Sequence, residues 1–150
     1  MKGETNKVLA MVALVLFVIS LFLPSYFNGR GYECVYFCLH TIWPPNRLGL
    51  DTAYYFVFNI TNLLMMVTPI AIVCGFYQKS VSQRNRLLFA QISTLLFLHV
   101  LSWWLIHLFS KEGIKKIQIG YYLWAISIGL CTFVIWKEKN RFTEKPSVSG

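Results

Sequence analysis

The sequence predicts an all-α membrane protein, an antiparallel four-helix transmembrane bundle with an ordered extracytoplasmic loop between helices 1 and 2. Of the 150 residues, 56% are hydrophobic and only 13% are charged, whereas about a quarter of the residues are charged in an average soluble domain. The apolar residues form four long blocks and do not recur at the period of an amphipathic helix or strand. No Asp, Glu, Lys or Arg interrupts any of these blocks.

The four blocks give the predicted helix bounds. The helices are expected at about residues 8–23, 53–77, 87–109 and 117–136, in a single transmembrane domain that covers residues 1–150. A helix needs about 20 apolar residues to cross a hydrocarbon core of about 30 Å. Continuous blocks favour helices, whereas a membrane β-barrel shows alternating residues. The first block is interpreted as an uncleaved helix, because Leu23-Pro24-Ser25-Tyr26 offers no small-x-small cleavage site.

The distribution of basic residues predicts the orientation. The N-terminal tail, the second loop and the C-terminal tail together hold nine Lys and Arg, while the first and third loops hold five. Cytoplasmic flanks carry the excess of Lys and Arg, so both termini are expected in the cytoplasm. The net charge of +8 does not indicate a nucleic-acid partner, because the basic residues flank the apolar blocks and form no stripe with aromatic residues. The lipid bilayer is the expected partner, and the aromatic residues near the block ends are interpreted as interfacial anchors: Tyr26, Phe27, Tyr54, Tyr55, Tyr77, Tyr121, Tyr122 and Trp136.

The first loop, residues 25–52, is the most distinctive segment. Its stretch from Cys34 to Trp43 is largely apolar and aromatic, but it is too short to cross a bilayer. Such a stretch suits an interfacial or re-entrant segment on the outer face of the bundle. Cys34 and Cys38 are a candidate disulfide if the loop faces an oxidising compartment. The alternative is a pair of buried thiols that act as small hydrophobic residues.

Four polar residues inside the predicted helices form a candidate polar intramembrane cluster: Asn59, Asn62, His99 and His107. Such side chains serve either as hydrogen-bonding groups between helices or as the lining of a transport path. A haem site would need His40 and His107 to lie close enough to bind one iron, and no neighbouring motif supports such a site. No catalytic residue, metal or cofactor is therefore expected. A thiol oxidoreductase is disfavoured as well, since exchange with a partner normally needs a second cysteine pair.

Three segments carry a resemblance to known proteins. They are Ser20-Leu21-Phe22-Leu23-Pro24-Ser25-Tyr26, Gly31-Tyr32-Glu33-Cys34 and Gly120-Tyr121-Tyr122-Leu123-Trp124. This combination resembles small uncharacterised four-span bacterial inner-membrane proteins. The resemblance implies a bacterial inner membrane as the location. It implies no activity, and no functional residue is carried over from it.

The leading functional hypothesis is a non-enzymatic interaction or accessory protein that uses the 25–52 outer loop. Exposed apolar and aromatic patches often mark interfaces, so a membrane or extracytoplasmic protein partner is expected there. One alternative is an immunity protein against a membrane-active toxin, which needs only helix surface to block its target. The other alternative is a small thiol-redox or cofactor-binding membrane enzyme.

Overall fold

A computed structural model describes residues 2–26, 29–42, 50–77, 81–109 and 114–143, and the chain is mostly helical there. The helices are α1 (Lys2–Phe22), α2 (Gly31–Ile42), α3 (Leu50–Val73), α4 (Gln83–Leu108) and α5 (Ile119–Thr143). Two short strands, β1 (Pro24–Tyr26) and β2 (Gly29–Arg30), pair antiparallel, and Ile114–Lys116 form a 3₁₀ turn. Helices α1, α3, α4 and α5 are each long and apolar enough to cross a membrane.

The helix bounds differ from the predicted ones at both ends of the chain. Helix α1 begins at Lys2 and α5 continues to Thr143, so their polar ends are helical as well. An apolar block sets only the length of helix that can lie in lipid, because backbone hydrogen bonding continues into polar sequence. Helix α3 ends at Val73, and Gly75 follows with a φ of 76°. A glycine in this left-handed conformation is a common way to end a helix.

The buried face of α1 follows a regular pattern. Asn6, Ala10, Ala13, Phe17 and Ser20 are all buried, at spacings of alternately four and three residues. This period of 3.5 residues is that of a helix packing along one seam, and α1 makes its main contacts with α5 and α3. The two alanines leave room for close helix approach. The other face of α1 exposes large apolar side chains, which fits contact with lipid tails.

The β-hairpin follows α1 in the chain and contacts the segment that leads into α5. The backbone N–H of Gln118 donates to the carbonyl oxygen of Ser25 at 3.0 Å, and Tyr26 pairs with Ile117 in an isolated bridge. Gly31 begins α2 directly against α1, where a Cβ atom would collide with the backbone of Ser20. The position therefore requires glycine.

The predicted interfacial or re-entrant segment is a helix over most of its length. Residues 31–42 form α2, which packs mainly on α3, while residues 43–49 lie outside the described residues. Below, the end of the molecule formed by β1, β2, α2 and residues 114–118 is called the hairpin end. The opposite end, where α1 begins and α5 finishes, is called the terminal end.

Candidate binding cavity

A cavity of about 670 Å³ lies at the hairpin end. Helix α2 provides one side with Cys34, Val35 and Cys38, and α3, α4 and α5 provide the opposite side. Ser20 and Leu21 close it from α1. The walls are mainly apolar, and no Lys or Arg is among the described residues that line them.

Aromatic rings from three helices form the wall opposite α2. The ring of Phe58 on α3 lies 6.0 Å from Trp103 on α4 and 5.3 Å from Trp124 on α5, between ring centroids. Tyr121 extends the group, with its ring 5.7 Å from Trp124. Its hydroxyl donates to the carbonyl oxygen of Val100 and so ties α5 to α4. Rings held in contact with one another in this way give the wall a fixed shape.

Asn62 adds spare hydrogen-bonding capacity to this wall. Its Oδ1 accepts a hydrogen bond of 2.9 Å from the indole nitrogen of Trp124. Because an indole N–H only donates, this bond fixes which end of the amide is the oxygen. The Nδ2 group then has no hydrogen-bond partner among the described residues, although Asn62 is only 8% exposed. Asn62 therefore brings two unused N–H donors to the cavity.

The hairpin is held in place at the side of the cavity by Tyr26. His107 donates from Nδ1 to the carbonyl oxygen of Trp103 at 3.0 Å, so in the neutral imidazole Nε2 accepts from the Tyr26 hydroxyl, also at 3.0 Å. The ring of Tyr26 packs edge-on against Trp103, with centroids 5.7 Å apart. This contact links β1 to α4 and fixes the strand that precedes α2.

Cys34 and Cys38 both line the cavity as half-buried free thiols. Burial, with a smaller contribution from Cys34, raises the pKa of Cys38 to about 11. Burial and the neighbouring Glu33 carboxylate likewise raise the pKa of Cys34. A thiol with a raised pKa is a poor source of the reactive thiolate. The disulfide between these residues stays a prediction, and the structure places both thiols one helical turn apart on the same side of α2.

The four residues of the predicted polar cluster do not bond to one another, and each has a different hydrogen-bond partner. Asn59 donates to the carbonyl oxygen of Tyr55 in its own helix at 3.3 Å, and His99 donates to the carbonyl oxygen of Tyr54 on α3 at 3.2 Å. Asn62 pairs with α5 and His107 with the hairpin, as described above. Three of the four thus connect segments that are distant in sequence, and only Asn62 lines the cavity.

Two other expectations from the sequence concern His40 and the aromatic anchors. His40 lines the cavity and packs its ring 6.1 Å from that of Tyr36. Tyr26, Tyr55 and Tyr121, interpreted from the sequence as interfacial anchors, line the cavity as well. The position of these residues near the block ends did not indicate a cavity, because an interfacial anchor and a cavity-lining ring can both occur there. The described residues contain no group of three or more His, Cys, Asp or Glu placed to hold a metal ion.

A polar cluster at the terminal end was not predicted. Glu138 is fully buried, and its Oε1 accepts a hydrogen bond of 2.7 Å from Nδ2 of Asn6. Arg86 and Glu138 both lie close enough to Tyr77 to affect it electrostatically. The guanidinium carbon of Arg86 is 5.8 Å from the centre of the Tyr77 ring, and its Nε donates to the carbonyl oxygen of Val81. Burial raises the pKa of Tyr77 to about 12. The one signal in the sequence was an acidic residue between Lys137 and Lys139 at the end of the last block.

Comparison of the chain with protein-family models, with curated proteins and with solved structures finds no match.

Proposed function

We propose that the protein is a non-enzymatic membrane accessory protein that holds a lipid-soluble ligand beneath the helix of its first loop. The observation that carries this proposal is the cavity of about 670 Å³ between α2 and the aromatic wall. Pockets for small molecules typically measure about 300–1,000 Å³, with apolar and aromatic walls and few polar groups. The cavity has this size and composition. The 25–52 loop, predicted to be the contact element, supplies one of its walls through α2.

The proposed setting is an antiparallel four-helix transmembrane bundle in a bacterial inner membrane, with both termini in the cytoplasm. Nine Lys and Arg on the side of the termini against five on the other side support this orientation. The hairpin end then faces away from the cytoplasm, and the cavity lies in the outer half of the bilayer. A lipid-soluble molecule would reach it from the outer leaflet. Tyr36 and Phe37, which are 67% and 60% exposed on α2, suit the membrane–water interface or a partner protein.

The chemistry of the cavity favours binding over reaction. Its two thiols have raised pKa values, so they are held as thiols at neutral pH. The carboxylate of Glu33 already accepts a hydrogen bond of 2.7 Å from the backbone N–H of Arg30. Aromatic surface that is fixed by mutual packing contributes contact area without a large entropic cost on binding.

Protection of the cavity thiols tests the proposal. Proteoliposomes would be treated with N-ethylmaleimide, and labelling of each cysteine would be followed by mass spectrometry. Two probes of matched size, undecylbenzene and decyl phenyl ketone, would be added in turn at equal mole fractions of lipid. We expect at least one probe to slow labelling of Cys34 and Cys38, because both thiols line the cavity. Cys74 is exposed outside the cavity and provides the internal control.

A pair of variants separates occupancy of the cavity from general effects on the membrane. Val35→Trp should fill part of the cavity and remove the protection, because Val35 lines it. Leu39→Trp adds the same side chain to an exposed position of α2 that does not line the cavity, so protection should remain. If neither probe protects either thiol in the wild-type protein, the proposed function is wrong.

A further inference from the structure

Asn62 lies at a depth where an unused hydrogen-bond donor is costly. It is ten residues beyond Thr52, the first residue of the span Thr52–Val73, which places it about 15 Å along the helix axis. That distance is half of a hydrocarbon core of about 30 Å. Polar groups buried at such depth are normally hydrogen-bonded, because burying them without a partner is unfavourable.

The Nδ2 group of Asn62 is a donor of this kind in the cavity wall. The residue is more than nine-tenths buried, its oxygen is engaged by Trp124, and its nitrogen has no partner among the described residues. The nitrogen is not among the fully buried unpartnered atoms, so it keeps accessible surface that a molecule in the cavity can reach. Because Trp124 holds the amide in one orientation, the donor is already positioned before any ligand arrives. A donor held in this way recognises an acceptor with little ordering cost.

We infer that the ligand of this cavity is an uncharged, lipid-soluble molecule with a carbonyl oxygen that accepts a hydrogen bond from Nδ2 of Asn62. This inference rests on the proposed function and names the chemical class of its ligand. A carboxylate or phosphate is disfavoured, because no Lys or Arg is among the described lining residues and Glu33 is present there. A plain hydrocarbon would fill the apolar space and leave the amide unsatisfied. An uncharged carbonyl compound satisfies both the apolar walls and the donor.

The experiment compares decyl phenyl ketone with undecylbenzene, which differ only in a carbonyl in place of one methylene. In the wild-type protein, the ketone should protect Cys34 and Cys38 at a concentration about 3- to 10-fold lower than the hydrocarbon, as expected for one added hydrogen bond. In Asn62→Leu, this advantage should disappear, since the donor is lost. Asn59→Leu is the matched control. Asn59 lies one turn earlier on α3, is equally buried, bonds to its own helix and does not line the cavity.

A spectroscopic measurement keeps the test independent of whether Asn62→Leu folds. The stretching frequency of an isotope-labelled carbonyl in the ketone should fall when the wild-type protein binds it, relative to the same ketone in protein-free bilayers. An unchanged frequency, or equal protection by the two probes in the wild-type protein, would overturn the inference and leave the proposed function standing. Absence of protection by both probes would instead remove the proposed function itself.

Discussion

Removing the amide of Asn6 should weaken the packing of α1 on α5. The two residues are 132 positions apart, and the Asn6 amide donates to Glu138 at 2.7 Å. Glu138 is 0% exposed, so its carboxyl group is shielded from bulk water in the intact protein. Asn6→Ala therefore leaves a buried carboxyl group with one hydrogen bond fewer.

Two ranges of hydrogen-bond energy bound the expected loss in the free energy of unfolding. Hydrogen bonds to charged groups contribute about 1.5–3 kcal/mol in proteins, while hydrogen bonds between membrane helices average about 0.6 kcal/mol and reach about 1.7. Because the acceptor is a fully buried carboxyl oxygen, we expect a value near the upper end of the membrane range. Asn6→Ala should lower the free energy of unfolding by about 1.5 kcal/mol.

The assay is unfolding of purified protein in mixed micelles, with dodecyl sulfate as the denaturant and helix content as the signal. Lys7→Ala is the control, since Lys7 is the exposed neighbour of Asn6 in the same helix. Glu138→Gln keeps an acceptor oxygen in place and should cost less than Asn6→Ala. Because Glu138→Gln keeps an acceptor, combining it with Asn6→Ala measures only what the carboxylate adds over an amide oxygen as the acceptor. The reasoning is refuted if Asn6→Ala lies within about 0.5 kcal/mol of Lys7→Ala, the range of a neutral surface change.

Three further predictions concern the hairpin end. Tyr26→Phe should reduce the free energy of unfolding by about 1 kcal/mol, because it removes the hydrogen bond to His107; unfolding in mixed micelles measures this. Gly31→Ala should cost about 1–3 kcal/mol in the same assay, since the added methyl group meets the backbone of Ser20. Labelling of Cys38 by maleimide should rise about tenfold per pH unit between about pH 7 and 10, because its pKa is about 11 and its thiolate fraction is still growing there.

Two of these predictions have a matched control variant, and the third has an outcome that would contradict it. Tyr32→Phe removes only an exposed hydroxyl bond of 3.4 Å to Glu33, and it should leave stability nearly unchanged. In Gly129→Ala the added methyl group would lie 3.2 Å from ring atoms of Phe97, so a small ring movement should make this change milder than Gly31→Ala. If Cys38 labelling instead levels off near pH 9, the thiol is not buried as the structure places it.

The four apolar helices could be predicted from the sequence because a segment in the bilayer core must be apolar over its whole length. A segment that crosses it needs about 20 continuous apolar residues, and α1, α3, α4 and α5 each coincide with such a block. The sequence also located the first loop as the unusual segment. It did not show that residues 31–42 form a helix, because twelve mixed aromatic and polar residues fit several structures at an interface.

The cavity could not be predicted, and the reason is physical. In a water-soluble helix, the apolar face marks the core, whereas a membrane helix is apolar on every side and hydropathy does not separate the core from the lipid face. Nothing in the sequence distinguishes Trp124, which lines the cavity, from aromatic residues at the surface. Asn59 and Asn62 also share one face of α3 and look alike in the sequence.

The sequence by itself determined the number of apolar helices and the uneven distribution of Lys and Arg. Those features depend on each segment's own composition and its transfer between water and lipid. Only the tertiary structure decided that Asn62 meets Trp124 on α5, that Tyr26 meets His107, and that Asn6 meets Glu138. These pairs depend on how helices far apart in sequence are rotated against one another, which is set by side-chain packing across their contacts and not by the composition of either helix.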